Sequence, residues 1–292
     1  MLSIFSDYPL PADVAVVPTE DAPPAEDRAV RRTEETLDGL AGLVRNLASS
    51  DRATAPVARD EWPAGFRLSV VIPVFNEAAT ILNVIEQVRA VPLPAEVIVV
   101  DDCSTDGTRD ALERLRGTEG LQLILKPRNE GKGAAVRDGF RAATGDVVVV
   151  QDADLEYDPR DLPALVRPIV QGEADVVFGS RFLDHEPQDR SLPHRLVNRV
   201  LTQCSNWFTG LRLTDMETCY KVVRRDLLRE LPLRQDRFGF EPEVTAKLAR
   251  RTRRVVERPV RYRPRGYTEG KKIGVRDAFN AVYCIVRYGL AD

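Results

Sequence analysis

From residue 68 onward, apolar residues occur in two alternating patterns: short continuous runs and longer stretches with helical spacing. The continuous runs predict buried strands, because each is bounded by polar or turn-forming residues. These strands are expected over residues 68–74, 96–100, 121–125, 146–151 and 175–178. The stretches between them place apolar residues three and four positions apart, which is typical of the buried face of a helix. These helices are expected over residues 78–91, 105–116, 133–143 and 159–171.

The alternation of strands and helices predicts an α/β fold, with a parallel sheet covered by helices on both faces. In such sheets, ligands bind at the carboxyl ends of the strands. Predicted strands in this chain end in polar residues, namely Asn76 and Glu77, Asp101 and Asp102, Gln151 and Asp152, and Ser180 and Arg181. We therefore expect the functional site at this edge of the sheet.

Residues 1–65 lack this alternation and carry 12 acidic and 6 basic side chains, a net charge of −6. With seven prolines and little apolar periodicity, this segment is predicted to be a largely disordered acidic arm. Within it, Val30, Leu37 and Val44 recur every seven residues, which predicts a short amphipathic helix near residues 29–48. The pattern is too short for a coiled coil, so docking of this helix on its own domain is favoured.

The composition is that of a soluble globular protein, with 43% hydrophobic and 30% charged residues. The net charge of −3 argues against nucleic acid as a partner, because proteins that bind its backbone carry a basic surplus. The sequence contains neither the ~18 apolar residues of a membrane span nor the apolar core of a signal peptide. Four separated cysteines are expected to be reduced thiols. We therefore expect a cytoplasmic protein.

Asp152 and Asp154 follow the all-valine strand one residue apart. In extended geometry such residues point to the same side, where their carboxylates repel each other unless a cation lies between them. Oxygen ligands suit Mg²⁺ or Mn²⁺, and Glu156 is placed to supply a third oxygen. Such a cation commonly bridges the phosphates of a nucleotide. The alternative is a polar loop that merely ends a strand.

Two further clusters suit a nucleotide. Asp101 and Asp102, near Ser104, are placed to accept hydrogen bonds from a ribose or a base, although an N-cap for the next helix is the alternative. Lys132 lies between two glycines, which permits close approach of the backbone to phosphate. The full P-loop spacing is absent, which argues against a P-loop kinase or ATPase.

Together and in this order, four motifs resemble those of the family 2 inverting glycosyltransferases with the GT-A fold. Residues 70–77 read VVIPVFNE, like the opening strand of that family. Residues 101–108, 129–133 and 152–154 are similar to its DD-x-S-x-D-G-T, N-x-G-K-G and DxD elements. The resemblance implies a Rossmann-like, mostly parallel sheet flanked by helices, with a mixed α+β C-terminal part on the acceptor side.

Other segments look most like the polyprenyl-phosphate hexose transferases of that family, which include dolichyl-phosphate mannose synthase. They are residues 154–159, 179–181, 214–215 with 220–221, and 238–244, where Glu241 or Glu243 is expected to reach the site. The resemblance covers about residues 68–290, so we expect a GT-A domain over residues 66–292. Its nucleotide-sugar-binding half would be residues 66–182 and its acceptor-binding half residues 183–292.

The resemblance also implies roles for individual residues. The donor would be bound by Pro73, Asn76, Glu77, Asp102, Ser104, Lys132 and Asp152. The metal ion, Mg²⁺ or Mn²⁺, would be held by Asp152, Asp154 and Glu156. The catalytic residues would be Asp154, Asp215 and Arg181, and an acceptor phosphate would be bound by Arg181, Lys271 and Lys272.

The implied reaction is metal-dependent transfer of a hexose from a nucleotide-sugar, of the GDP-mannose or UDP-glucose type, to a polyprenyl phosphate. One displacement would invert the anomeric configuration. A phosphate acceptor is already anionic, whereas a soluble hydroxyl acceptor, the alternative, would need a general base. Asp215 is the candidate base, and its other interpretation is a salt bridge to Lys221 or Arg212.

Two features of the C-terminal third bear on the acceptor. Residues 195–211 form an amphipathic stretch that either lies at a membrane interface or faces the core, which is the commoner fate of such stripes. Residues 250–272 carry 10 basic and 2 acidic side chains, and they either contact an anionic membrane or form a solvated edge strand. A last amphipathic helix is expected over residues 275–288. Because no transmembrane helix is expected after this region, two hypotheses stay open: a peripheral contact with the membrane and a soluble acceptor.

Two other function classes share part of this pattern. A nucleotidyltransferase should carry a glycine-rich loop after the first strand, where residues 73–77 read PVFNE instead. A catalytically inactive binding module is disfavoured by the intact Asp152, Asp154 and Lys132. An inverting glycosyltransferase is therefore the leading hypothesis.

Overall fold

The computed structural model describes residues 62–183, 192–265 and 275–290, without the side chains of residues 192–194 and 275–278. The predicted helix near residues 29–48, nearly all of the predicted acidic arm and both Lys271 and Lys272 lie outside the described residues. The first described residue, Trp62, stacks on Phe66 at a ring-centroid distance of 5.6 Å, and its indole N–H donates to the carbonyl of Pro92.

Seven strands form a single sheet in the order β3-β2-β1-β4-β6-β5-β7. They are β1 (Leu68–Val74), β2 (Ala95–Asp101), β3 (Leu121–Leu125), β4 (Val147–Val150), β5 (Val176–Ser180), β6 (Lys221–Arg224) and β7 (Val255–Pro259). All neighbouring strands are parallel except β6, which runs antiparallel to both β4 and β5. The expected mostly parallel α/β sheet is confirmed.

The helices lie between these strands and after them. They are α1 (Ile81–Arg89), α2 (Thr108–Glu113), α3 (Lys132–Ala142), α4 (Leu162–Val170), α5 (Leu192–Thr209), α6 (Arg225–Arg229), α7 (Phe240–Arg251) and α8 (Val275–Leu290). A short 3₁₀ turn, Pro159–Asp161, leads into α4. In the C-terminal part, α5, α7 and α8 pack against one another. No helix among the described residues has both the length and the apolar character needed to cross a bilayer.

The central strands are buried because their residues are apolar on both faces, as a sheet covered by helices requires. Pro73 is tolerated in β1 for a geometric reason. Strand β4 pairs with β1 only as far as Val71, whose carbonyl accepts from the amide of Gln151. The missing N–H of Pro73 faces this same side of β1, beyond the end of β4, so no ladder hydrogen bond is lost.

Two predicted elements differ from those observed. The helix expected over residues 105–116 begins only at Thr108, because Asp106 accepts hydrogen bonds from Thr108 and from the amide of Ala78 and thereby belongs to a loop. The edge strand, one of two alternatives for the basic residues 250–272, is present as β7, which lies at the edge of the sheet and ends before the alternating Arg261, Arg263 and Arg265. Arg261 instead forms a salt bridge with Asp161 at 2.6 Å.

Candidate active site

The carboxyl ends of β1, β2, β4 and β5 meet at one edge of the sheet, where the segment after β7 joins them. A sharp turn follows β4, with Leu155 in the left-handed region at φ 61°. This turn carries Asp152, Asp154 and Glu156. The structure therefore groups charged side chains at the edge of the sheet where the site is predicted.

Three of the predicted donor-binding residues hold the loops of this edge together. The Ser104 hydroxyl accepts from the amide of Asn76 at 2.9 Å, and the Asn76 side-chain oxygen accepts from the amide of Thr105 at 2.8 Å. The buried Asp102 carboxylate accepts from the amides of Glu130 and Gly131, at 2.9 and 2.7 Å. These contacts fix the loop that leads into α3, and thereby the position of Lys132.

A series of alternating charges runs from the end of β4 to α7. Lys132, the first residue of α3, places its Nζ 2.7 Å from Asp152 and 3.8 Å from Glu241. Glu241 also bonds the buried Lys221. Burial acts to lower the pKa of Lys132, but Asp152 and Glu241 hold it well above its ordinary value, so the ammonium stays charged. Glu241 thus reaches the site, whereas Glu243 accepts from the amides of residues 234 and 235.

Arg265 lies where three carboxylates converge. Its guanidinium donates to both oxygens of Glu77 at 3.0 and 3.1 Å and to Asp154 at 3.1 Å, and it lies 4.0 Å from Glu156. Burial and the nearby Asp152 and Glu156 raise the pKa of Asp154 to about 7, although Arg265 opposes this shift. The positive charge of Arg265 therefore does not fully offset the mutual repulsion of the Asp152, Asp154 and Glu156 carboxylates.

The predicted metal ligands fit a divalent cation only in part. Among the residues that the structure describes, no three His, Cys, Asp or Glu side chains converge as a metal site. Asp152 and Asp154 offer the hard oxygens that Mg²⁺ and Mn²⁺ prefer, and their crowding favours an added positive charge. Both oxygens of Glu156 are already bonded, one to the Tyr262 hydroxyl at 2.7 Å and one to the amide of Arg265 at 2.8 Å. Glu156 is thus placed as a support for the Arg265 segment.

Arg181 and Asp215 form a buried ion pair beside this cluster. The Arg181 side chain donates to the two Asp215 oxygens at 2.7 and 2.8 Å, and its guanidinium carbon lies 5.0 Å from the centre of the Tyr262 ring. The Arg181 amide and the Asn198 side chain also donate to Asp215, which is 0% exposed. Burial acts to raise the pKa of Asp215, yet Arg181 holds it below its ordinary value.

This geometry favours a role for Asp215 other than the general base considered for a hydroxyl acceptor. Each of its oxygens accepts two hydrogen bonds, and a lowered pKa makes a carboxylate a weaker proton acceptor. The partner is Arg181, not the Lys221 or Arg212 considered from the sequence. The role that these contacts support is to position Arg181 against Tyr262.

Sequence reasoning missed other members of the site. From the sequence, Arg265 receives no role of its own, and Tyr262, whose hydroxyl donates to Glu156 and whose ring lies near Arg181, is not singled out. Glu217 was also missed: one of its carboxylate oxygens is buried without a hydrogen-bond partner. Burial and the nearby Glu241 raise its pKa to about 7, against Lys221 and Arg181. Its position between Asp215 and Lys221 in the chain was the available signal.

A family model described as Glycosyl transferase family 2 matches residues 69–231. The undecaprenyl-phosphate 4-deoxy-4-formamido-L-arabinose transferase of Aeromonas hydrophila is 32% identical over 75% of this chain and 66% of that protein. The undecaprenyl-phosphate mannosyltransferase of Micrococcus luteus is 30% identical over 77% of this chain and 95% of that protein. The dodecaprenyl-phosphate galacturonate synthase of Rhizobium johnstonii is 31% identical over 61% and 54%, respectively. Apart from the Micrococcus protein, the chain spans about half to two thirds of the length of such relatives.

Solved structures of glucosyl-3-phosphoglycerate synthase from Mycobacterium tuberculosis are similar to this fold. The complex with uridine diphosphate has a TM-score of 0.60 and 26% identity, over 78% of this chain and 82% of that chain. The complex with Mn²⁺, UDP-glucose and phosphoglyceric acid has a TM-score of 0.60 and 24% identity, over 78% and 81%. These similarities confirm the expected GT-A fold. Since the family model spans more than half of the sequence, the chain belongs to glycosyl transferase family 2.

Proposed function

We propose that this protein transfers a sugar from a nucleotide-sugar to the phosphate of a polyprenyl phosphate. The names of the three relatives support a polyprenyl phosphate as the acceptor. The observation that carries the proposal is the grouping of Asp152, Asp154 and Lys132 at the carboxyl edge of the sheet, with Arg265 bonded to Asp154. This grouping supplies both the carboxylates for a cation and the side-chain cations for phosphates.

On the donor side, the diphosphate requires positive charge. Lys132 begins α3, so its ammonium and the amino end of the helix both favour an anion. Asp152 and Asp154 would hold Mg²⁺ or Mn²⁺, which as a Lewis acid would stabilise charge on the leaving diphosphate. Glu77, Asn76, Ser104, Asp102 and Pro73 remain the proposed lining of the donor pocket.

On the acceptor side, an oxygen of the acceptor phosphate forms a bond to the anomeric carbon. The bond from that carbon to the diphosphate oxygen breaks at the same time, and the nucleoside diphosphate leaves with its electron pair. Attack from the opposite face inverts the configuration. The acceptor oxygen is already anionic and gives up no proton, so the reaction needs no general base. Asp215 can then serve as the ion-pair partner of Arg181. Arg181, with Lys271 and Lys272, is proposed to bind the acceptor phosphate.

The test is sugar transfer to a short polyprenyl phosphate, with labelled GDP-mannose, UDP-glucose, UDP-galactose and UDP-N-acetylglucosamine assayed in parallel, with and without Mn²⁺. We expect transfer from one donor, stimulated by the metal ion and reduced at least a hundredfold in Asp154→Asn. Asp226→Asn is the matched control, because Asp226 is an exposed carboxylate paired with Arg224 and should leave the rate unchanged. Donor hydrolysis without a lipid product would contradict the lipid acceptor and favour a soluble hydroxyl acceptor.

A further inference from the structure

Arg265 bonds carboxylates that come from two different strand ends. Its guanidinium donates to both oxygens of Glu77, which follows β1, and to Oδ2 of Asp154, which follows β4, at 3.0 to 3.1 Å. The three side chains are partly exposed, with 15% to 22% of each accessible to solvent. This contact is therefore within reach of an ion that arrives from solution.

Both oxygens of Asp154 accept hydrogen bonds in this arrangement. Oδ1 accepts from the amide of Glu156 at 3.1 Å, within the turn after β4, and Oδ2 accepts from Arg265 at 3.1 Å. A cation such as Mg²⁺ binds a carboxylate oxygen directly, at about 2.1 Å. A cation on Oδ2 and the guanidinium bonded to the same oxygen would repel each other, because a partly buried site screens charge weakly. The divalent cation and Arg265 are thus competitors for one oxygen.

This competition explains why the predicted metal ligands fit a divalent cation only in part. Asp152 is paired with Lys132 at 2.7 Å, and Asp154 is paired with Arg265 at 3.1 Å. Each of the two carboxylates thus already has a positively charged side chain as its partner. Because a metal ion needs several oxygens directed at one point, it has to displace at least one of these side chains in order to bind.

The contacts favour Arg265 as the side chain that is displaced. Lys132 lies closer to its carboxylate than Arg265 does, and it is also attracted to Glu241. The Nε–H group of Arg265 is buried without a hydrogen-bond partner among the residues that the structure describes, which makes its binding there less favourable. Glu77 would still hold the guanidinium after Asp154 is released, so the side chain does not have to leave the site.

The backbone around Arg265 is held independently of its guanidinium. The amide of Arg265 and the hydroxyl of Tyr262 donate to the Glu156 carboxylate, and the amide of Arg263 donates to the Glu156 carbonyl at 2.8 Å. Tyr157 and Tyr262 also form an isolated antiparallel bridge. The guanidinium can therefore leave Asp154 without displacement of this segment, and a substitution of the side chain should leave these contacts in place.

We propose that Arg265 competes with the divalent cation for Asp154, so that the donor-free protein keeps its own positive charge at this carboxylate and binds Mg²⁺ or Mn²⁺ weakly. The inference rests on the proposed function, because it takes Asp152 and Asp154 as the metal ligands. Arg265 offsets part of the repulsion between the carboxylates as long as the metal ion is absent. It thereby sets the affinity of the site for the metal ion.

The test measures the binding of Mn²⁺ to the full chain, by electron paramagnetic resonance of the free ion, without nucleotide-sugar or lipid. We expect Arg265→Gln, which removes the positive charge, to bind Mn²⁺ at least tenfold more tightly than the parent. Arg265→Lys retains the charge and should stay close to the parent. Arg261→Gln is the matched control, because Arg261 belongs to the same segment but pairs with Asp161 at 2.6 Å, and it should leave the affinity unchanged.

Arg265→Met provides a second uncharged variant, because it keeps most of the aliphatic stem, and the same gain is expected. Thermal unfolding verifies that the variants are folded. Mn²⁺ binding that is unchanged or weaker in the folded uncharged variants overturns the proposal. An equal gain in Arg261→Gln also overturns it, because the effect would then come from net charge alone.

Asp154→Asn separates this inference from the proposed function. In the Arg265→Gln background, it should abolish the gain in Mn²⁺ affinity, because the contested oxygen then carries no charge. A gain that persists in Arg265→Gln/Asp154→Asn would mean that Mn²⁺ binds elsewhere, and it would overturn both the competition and the metal ligands of the proposed function. If Asp154→Asn weakens Mn²⁺ binding but Arg265→Gln does not strengthen it, only the competition is overturned.

Discussion

Arg181 pairs with the fully buried carboxylate of Asp215, and this pairing can be tested by removing the carboxylate charge. Asp215→Asn leaves the Arg181 guanidinium buried without its counter-charge. We expect the free energy of unfolding to fall by about 3–5 kcal/mol, the usual cost of breaking a buried pair. Urea unfolding measures this loss. The double variant Arg181→Met/Asp215→Asn should lose less than the sum of the two single variants, because it removes both charges.

A general-base role for Asp215 would give a different result. In that case Asp215→Asn would retain most of its stability but lose the acidic limb of the pH–rate profile. Positioning of Arg181 instead predicts a loss of stability together with an unchanged shape of the pH profile. Measuring both quantities on the same variant separates the two roles.

Glu217 gives a prediction for the pH dependence of stability. Its pKa is raised from 4.5 to about 7, by burial and by Glu241, with Asp215 adding to the shift and Lys221 and Arg181 opposing it. The folded protein therefore binds a proton that the unfolded chain releases between about pH 4.5 and 7, so stability falls as the pH rises through this window. Glu217→Gln should be more stable than the parent at pH 8, by about 1–3 kcal/mol, and similar to it at pH 4.5.

Urea unfolding of the parent and of Glu217→Gln at the two pH values measures this difference. Other titrating groups are shared by the two proteins and cancel in the comparison. Glu173→Gln, on an exposed side chain, is the control. An equal difference between parent and Glu217→Gln at both pH values would contradict the raised pKa.

At the scale of single residues, site residues that directly follow a strand are easier to predict from the sequence than site residues whose partners are distant in the sequence. Asp152 and Asp154 were found because a parallel sheet brings the ends of its strands together, and Lys132 because two glycines flank it. The pairing of Arg265 with Glu77 was not predicted, because the two residues lie 188 positions apart and no local pattern fixes that contact. The pairing of Asp215 with Arg181 was not predicted either, because the sequence offers several basic residues as possible partners of this carboxylate.

At the scale of elements, the start of α3 depends on a close backbone approach. A Cβ at Gly133 would lie 2.2 Å from the carbonyl oxygen of Gln235, in the loop that covers this turn. We expect Gly133→Ala to displace that loop and the adjacent Lys132, which would lower both thermal stability and affinity for nucleotide-sugar. Differential scanning calorimetry and titration calorimetry measure the two effects.

Gly172→Ala serves as the comparison for this substitution. Gly172 has a φ of +73° but open space around it, so alanine there costs only the left-handed backbone, about 1–2 kcal/mol, and should leave donor affinity unchanged. If Gly133→Ala bound the donor as tightly as Gly172→Ala does, the contact with residue 235 would not control the position of Lys132.

The strands were predicted better than the elements that depend on distant contacts. An apolar run fixed β1 at its observed bounds, because a strand buried on both faces uses apolar residues on both. Strand β3, a partly buried edge strand, was also predicted at its observed bounds, from the shorter run LQLIL. Strand β6 was not predicted, because its four residues form a strand only through antiparallel pairing with β4 and β5. The stripes of α5 and α8 were visible in the sequence, but periodicity alone does not tell a core-facing stripe from an exposed one.

At the scale of the whole molecule, two segments of the sequence carry opposite net charges. Residues 1–61 carry 12 acidic and 6 basic side chains, a net charge of −6, whereas residues 250–272 carry a net charge of +8. Long-range attraction of this kind decays over about 10 Å at 0.1 M salt, so it acts mainly at low ionic strength. The N-terminal segment is therefore expected to compete with anionic membranes for the basic region.

Deletion of residues 1–61 tests this competition and retains Trp62, whose ring packs on Phe66. We expect the shortened chain to bind anionic vesicles several-fold more tightly than the full chain at 20 mM salt, and the difference to disappear at about 0.5 M because the charges are then screened. A full-length chain with Glu20, Glu26, Glu34 and Glu35 changed to Gln should shift binding in the same direction, because it removes charge without shortening the segment. Equal affinity of the full and shortened chains at low salt would contradict electrostatic screening by the N-terminal segment.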